Sequence, residues 1–146
     1  MPRLVEIYSS RQLKTSLRES RWFVNCYYDY HHIVVAKMDG EIQGACFWRI
    51  EGEEYSGLGW IENLWVEVGF RKRGLGEHLL RKAIRDMETF FKHRRKRLRR
   101  VILTTQVERG SARRLYEKVG FRCNAKLGDA YEHGGMDLMY MLGIGQ

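Results

Sequence analysis

The sequence predicts an α/β fold of the α+β kind, a central mixed and mostly antiparallel sheet with flanking helices, and three observations carry that prediction. Two β-rich runs, 32–38 and 41–50, meet at Asp39-Gly40, the strongest short hairpin signal in the chain. An apolar run from Trp60 to Val68 passes through a basic glycine turn into a segment of helical periodicity. The β-branched run Val101 to Val107 then returns beside the Trp60–Val68 strand through that helical crossover, which makes the two strands parallel.

Taken in order, Leu4-Val5-Glu6-Ile7-Tyr8 alternates as an edge strand, and Ser9-Ser10 is placed to cap a short helix carrying Leu13 and Leu17. Residues 22–32 form the densest aromatic patch, in which Trp22 and Phe23 read as packing against the sheet. Beyond the hairpin, Glu51 to Gly57 is a polar, acidic connection whose carboxylates suit an exposed tip. Leu75, Leu79, Ala83, Met87 and Phe91 recur every fourth residue with Leu80 and Ile84 one step round, one stripe of an amphipathic helix. Ala112, Leu115, Tyr116 and Val119 share a face of a second helix that stops on Gly120, a C-terminal signal. Phe121–Lys126 and Met136–Leu142 close the sheet as an antiparallel pair around residues 128–135.

A chain of 146 residues is expected to form a single domain, 1–146, with one substantial core. Without a long apolar run or a basic-then-apolar leader, the expectation is a soluble, cytoplasmic protein with no membrane partner. Three cysteines, Cys26, Cys46 and Cys123, lack any C-x-x-C spacing, so buried free thiols are expected and neither a disulfide framework nor a metal site. The histidines have no partners at metal-ligand intervals either. The net charge of +8 is local, because residues 92–100 hold seven Lys and Arg and no acid; taking those from the 26 leaves 19 against 18 acidic residues. A solvated helix end is the preferred reading of that run, since cations there complement the helix dipole; a nucleic-acid footprint is the alternative.

The glycine turn carries the chemistry. At a helix start the first backbone N–H groups lack intrahelical partners, and glycines remove the Cβ atoms that would hold a phosphate away. Arg71, Lys72 and Arg73 precede Gly74-Leu75-Gly76-Glu77, so the segment reads as a pyrophosphate cradle. A P-loop would need Gly-Lys-Ser/Thr, and Gly74 is followed by Leu-Gly-Glu. The dinucleotide fingerprint would need a third glycine at Leu79 and an acid about 20 residues on, where the chain has Arg94 to Arg97.

Arg71-x-x-Gly74-x-Gly76 resembles the coenzyme A loop of the GCN5-related N-acetyltransferases (GNAT). The downstream segment Ala112-Arg-Arg-Leu115-Tyr116-Glu117-Lys118-Val-Gly120-Phe121 resembles that family's Ala-x-x-Leu-Tyr-Glu-Lys-x-Gly-Phe, nearly letter for letter. The two motifs span roughly the second half of the chain, in the family's order. The resemblance implies acetyl-CoA as cosubstrate, no metal, and a splayed parallel strand pair between which the coenzyme inserts. Backbone groups of Leu64, Trp65 and Val66 would meet the pantetheine and acetyl carbonyl, an N–H near Val66 would stabilise the oxyanion, and residues 71–77 would wrap the pyrophosphate. Ala112 belongs to the same cofactor set. Arg109 stands where the family commonly places an asparagine on the pantetheine, Val68 where it often has proline, and Lys72 where it often has glycine.

The same resemblance gives Tyr116 the role of general acid toward the departing thiolate, consistent with a phenol protonated at neutral pH. Glu62 is the implied base, acting through water, because an alkylammonium of pKa about 10.4 has no lone pair until a proton leaves; an outward-facing strand carboxylate is the alternative. Tyr27, Tyr28 and Tyr30, with Tyr131, are candidates for holding the amine. Direct transfer to a primary amine follows, with a polyamine-like or amino-sugar acceptor favoured and a protein N-terminus or lysine as the alternative. A nucleic-acid module and a coenzyme-binding protein without transferase activity are the readings from other classes, and a homodimer is left open.

Overall fold

The computed structural model describes the backbone of residues 6–10 and residues 32–53 and 56–145 in full. The described strands are β1 (Glu6–Ser10), β2 (His32–Met38), β3 (Glu41–Glu51), β4 (Leu58–Val66), β5 (Arg100–Gln106), β6 (Arg122–Gly128) and β7 (Met136–Gly143). Two helices are described, α1 (Leu75–His93) and α2 (Gly110–Val119). The expected helix carrying Leu13 and Leu17 and the aromatic patch through His31 lie outside the described residues. The chain divides into two compact units, residues 1–49 with 63–86 and residues 50–62 with 87–146; β4 and α1 run through both. Hydrogen-bonded strand order is β1-β2-β3-β4 in the first and β4-β5-β7-β6 in the second.

In the first unit β1 pairs antiparallel with β2, and Ser9 and Ser10 lie opposite Val34 and Ile33. Ser9 and Ser10 therefore end the strand, and the helix they are expected to cap lies outside the described residues. The β2–β3 hairpin turns on Asp39 and Gly40, at φ 53° and 82°. Two positive φ values in succession define the turn whose twist matches that of its strands, which is why Asp-Gly was legible. Six consecutive residues of β3, Gln43 to Trp48, are buried, so both of its faces are covered. Val35, Ala45 and Phe47 form a core on which Ile33, Ile42 and Trp65 pack. Gly44 is required here, since a Cβ would come within 2.9 Å of Leu79 Cδ1 and 3.0 Å of the Trp65 carbonyl oxygen. Burial drives the Cys46 thiol far above its ordinary pKa, with the Asp86 carboxylate reinforcing it, so this buried cysteine is chemically inert.

In the second unit the β4–β5 ladder is parallel, as the crossover predicted. It is three residues long, Leu58–Trp60 against Arg100–Ile102, and β4 continues to Val66 beyond its last rung. That early parting is the splay expected of the pair. β7 pairs antiparallel with both β5 and β6. Leu103, Phe121, Leu138 and Tyr140 are buried within this unit. Cys123 is exposed on β6, which corrects the expectation of a buried thiol: β6 is the last strand in the order and most of its residues face solvent.

Candidate active site

The glycine turn folds as a sequence of tight local bonds. The Glu67 N–H donates to the Gln43 carbonyl at 2.8 Å, ending β4, and a 3-10 turn follows over Val68–Phe70. Val68, where the family often has proline, opens that turn behind a Glu67 at φ −56° and ψ 141°, a backbone that proline would accept without change. Lys72 and Gly74 then take φ values of 60° and 81°. The left-handed lysine explains the family's frequent glycine at this position: a Cβ there costs about 1–2 kcal/mol.

The first bond of α1 runs from the His78 N–H to the Gly74 carbonyl at 3.1 Å. The amides of Leu75, Gly76 and Glu77 therefore precede the helix ladder. A Cβ on Gly74 would meet no protein atom within 4 Å, so the space beside Gly74 is open. Arg71, Lys72 and Arg73 are exposed around it. Arg71 Nε donates to the Val66 carbonyl at 2.8 Å, and the Arg73 guanidinium lies 5.8 Å from the Phe70 ring centre. Unladdered amides, an open approach and three cations are the donor set a pyrophosphate needs, so the residues present fit the coenzyme. One of the carbonyls expected to meet pantetheine, that of Val66, is engaged by Arg71 instead. Leu64, Trp65 and Val66 are half-buried at the end of β4, and residues 71–77 follow after the Val68–Phe70 turn, so this part of the predicted set lies close together along the chain.

The remaining predicted residues fall in the second unit. Glu62 is half-buried on β4, on the face of Trp60 and opposite the buried Gly59 and Ile61. Tyr116 is 8% exposed on α2. Its carbonyl accepts from Phe121 N–H at 2.9 Å while Gly120 N–H reaches Glu117 at 3.1 Å, the two bonds of a Schellman motif. Gly120 holds φ 112°, and the Tyr116 and Phe121 rings make the apolar contact that accompanies such a cap, 6.1 Å apart. Ala112 is half-buried on the same helix. Arg109, at the asparagine position, donates through Nε to Gln106 Oε1 at 3.1 Å. Tyr131 is 65% exposed in the β6–β7 loop, and Tyr27, Tyr28 and Tyr30 lie outside the described residues.

Two residues that sequence reasoning passed over complete the picture. Fully buried Tyr140 on β7 donates its hydroxyl to Glu117 Oε1 at 2.9 Å and accepts from Arg113 Nε at 3.2 Å, tying β7 to α2. Burial raises its phenol pKa, the Arg113 hydrogen bond opposes that rise, and the Glu117 carboxylate adds to it. The hydrogen bond to Tyr140 in turn raises the Arg113 guanidinium pKa. Asp137, 5% exposed, lines a polar cavity of about 420 Å³ with Glu108 and Glu132. Its signal was an acid in an otherwise apolar strand; Tyr140 had none that set it apart from a core aromatic.

The basic run is partly absorbed by the fold. α1 ends at His93, and the Arg94 guanidinium sits 3.6 Å over the Phe90 ring. Arg99 donates through Nε and Nη2 to the Ser56 carbonyl at 3.1 and 2.7 Å, and Leu98 is buried. No group of His, Cys, Asp and Glu among the described residues is arranged to hold a metal ion. No described helix is long and apolar enough to cross a membrane.

Residues 1–121 match the family model described as the acetyltransferase (GNAT) family. Among solved structures, the chain is similar to an IAA acetyltransferase from Bacillus cereus ATCC 14579, with TM-score 0.75 and 19% identity over 97% of this chain and 100% of that one. It is similar to a GNAT family acetyltransferase from Elizabethkingia anophelis with acetyl-CoA bound, with TM-score 0.74 and 18% identity over 96% and 98%. A third likeness is to the ribosomal-protein-S18-alanine N-acetyltransferase from Escherichia coli, with TM-score 0.65 and 16% identity over 81% and 72%. At these identities the likeness concerns the fold.

Proposed function

The chain belongs to the GNAT acetyltransferase family, and from that premise we propose that residues 1–146 act as one N-acetyltransferase domain, moving the acetyl group of acetyl-CoA directly to a primary amine. The observation that carries the reading is the turn from β4 into α1, where three amides precede the helix ladder behind an open approach at Gly74. Solved relatives of the fold that hold acetyl-CoA or coenzyme A support the choice of cosubstrate.

When bound, the coenzyme supplies the acetyl thioester. Arg71, Lys72 and Arg73 neutralise its phosphates while the amides of Leu75, Gly76 and Glu77 fix them. Leu64, Trp65 and Val66 offer backbone groups, and Ala112 and Arg109 belong to the same binding set. Tyr116 holds on its phenol oxygen the proton that the departing thiolate needs. Glu62, through a water, takes the proton that the acceptor ammonium must lose before it attacks. Neither step needs a covalent acetyl-enzyme or a metal.

A small polyamine-like or amino-sugar amine is the favoured acceptor, on the strength of Glu62 and the acidic cavity at Asp137; a protein N-terminus or lysine is the other acceptor class. Tyr131 and the tyrosines at 27, 28 and 30 are assigned to the amine. The test is a screen of amine libraries for acetyl-CoA-dependent thiol release. An amine that releases thiol in the wild type and not in Gly76→Val is the expected result. Tight coenzyme binding with no thiol release from amines of either class would leave a coenzyme-binding protein instead.

A further inference from the structure

On the reading of Tyr116 as general acid, we propose that the Tyr140 hydroxyl is a positioning group for the transfer: by bonding Arg113 and Glu117, which flank Tyr116 on α2, it sets the rotation of that helix and with it the place of the Tyr116 phenol.

α2 has little of its own to hold its orientation. It has ten residues, its N-cap Arg109 makes no side-chain capping bond, its first turn carries no acid, and Tyr116 is the one buried residue in it. A helix of that length is marginal by propensity alone, so tertiary contacts must fix it. A single buried side chain leaves the helix without the broad apolar stripe that ordinarily sets which face meets the core.

The sheet supplies what the helix lacks. Tyr140 is wholly buried on β7, paired on one side with Leu103 of β5 and on the other with Cys123 of β6. Its hydroxyl accepts from Arg113 Nε at 3.2 Å and donates to Glu117 Oε1 at 2.9 Å, two charge-assisted bonds that use its hydrogen and a lone pair. Arg113 also donates through Nη1 to the Val107 carbonyl at 3.2 Å, just past the end of β5. Residues at i and i+4 share one face of a helix, so Arg113 and Glu117 form one stripe, and Tyr116 stands about 100° round from Glu117. On that second stripe the Tyr116 ring lies 6.1 Å from the ring centres of both Tyr140 and Phe121. Polar bonds on one stripe and aromatic contacts on the next oppose rotation in either sense.

Small rotations matter at the reacting end. Turning a helix by about 10° moves an atom about 6 Å from its axis by about 1 Å, and a misplacement of about 1 Å at a reacting group costs about 10²-fold in rate. A bond that only held the fold together would lower stability and leave the turnover of the folded chain unchanged.

The test is thiol release from acetyl-CoA by the full chain, with an amine from the library screen and with water alone as acceptor, at a temperature where melts show every variant folded. Tyr140→Phe keeps the ring and removes the hydroxyl. It should lower kcat by about 10- to 100-fold with KM for acetyl-CoA unchanged, and the deficit should grow with pH as that of Tyr116→Phe does. In a Tyr116→Phe background the same change should cost less than about twofold, because the group it positions is gone. Glu117→Gln, which still offers an oxygen to the hydroxyl, should lose less than Glu117→Ala, and this pair reads the same contact without altering Tyr140. Wild-type kcat in a folded Tyr140→Phe, or an undiminished loss on top of Tyr116→Phe, overturns the positioning role and leaves the transferase reading standing. Acetyl-CoA binding by the wild type with no thiol release to any acceptor overturns both.

Discussion

Gly76→Val separates binding from folding at the point on which the cosubstrate assignment turns. Gly74 is a poor place for that test: it holds φ 81°, so any L side chain costs about 1–2 kcal/mol and a loss of binding would be confounded with a loss of stability. Gly76 is the second residue of α1, where valine is a slightly better helix former than glycine by a few tenths of a kcal/mol. Helix propensity therefore does not penalise the change, the paired thermal melt reads its effect on stability, and a branched side chain is added beside the amides of Leu75, Gly76 and Glu77. If it keeps the phosphates off two of those three donors, each charge-assisted bond being worth about 1.5–3 kcal/mol, the loss is about 3–6 kcal/mol, or roughly 10²- to 10⁴-fold in Kd.

The assay is isothermal titration with acetyl-CoA, paired with a thermal melt of each variant. Gly76→Ala gives the intermediate point, with a smaller obstruction and a better helix former. The reasoning predicts that affinity falls with side-chain size at 76 while Tm does not. Wild-type affinity in a folded Gly76→Val would refute the cradle, and with it the placement of the coenzyme at the start of α1.

Lys72→Gly should stabilise the fold by about 0.5–1 kcal/mol in urea unfolding, because it relieves a left-handed lysine at φ 60°; a loss of stability would mean the lysine makes contacts that outweigh the strain. Tyr140→Phe should lower stability by about 1–2 kcal/mol. Because the folded Tyr140 phenol has a raised pKa, the unfolded chain ionises first, so wild-type stability should fall as pH rises above about 10. That fall should be smaller in Tyr140→Phe, and parallel melts against pH check it. Replacing Arg94, Arg95, Arg97 and Arg99 with glutamine should abolish only weak, salt-sensitive nucleic-acid binding, read by filter retention against salt; tight, sequence-selective binding by the wild type at physiological salt would promote the nucleic-acid reading. Tyr116→Phe should retain acetyl-CoA affinity and lose about 10²- to 10⁴-fold in turnover, most at high pH, whereas the Glu62→Gln deficit should shrink toward about pH 9 as free amine becomes available. Parallel kcat/KM profiles for the two would remove Glu62 from the role of base.

What was legible in the sequence follows from the range of the forces involved. Asp39-Gly40, Gly120 and the stripe from Leu75 to Phe91 are local: each residue type is demanded by its own backbone or by a neighbour one turn away, and the hairpin, the Schellman cap and α1 are found there. That β1 extends to Ser9 and Ser10 follows from ladder pairing with Val34 and Ile33, some two dozen residues away, which the local sequence does not show. The exposure of Cys123 likewise depends on β6 being last in the strand order, which its own composition does not encode.

The candidate site divides along the same line. The proposed cradle at 71–77 is one continuous segment, so the residue types that suggest it stand side by side in the sequence. The acidic pocket is assembled from the end of β5, the start of β7 and the segments beside them, with Asp137 meeting Gln106 from 31 positions earlier only through the β5–β7 register. Its single clue was an acid between Met136 and Leu138, which in an exposed edge strand would mean nothing. On the proposed reading, the motif at 71–77 would place a coenzyme phosphate by local backbone geometry alone. Side chains that meet only through strand register, as Asp137 and Gln106 do, leave no such signature in the sequence.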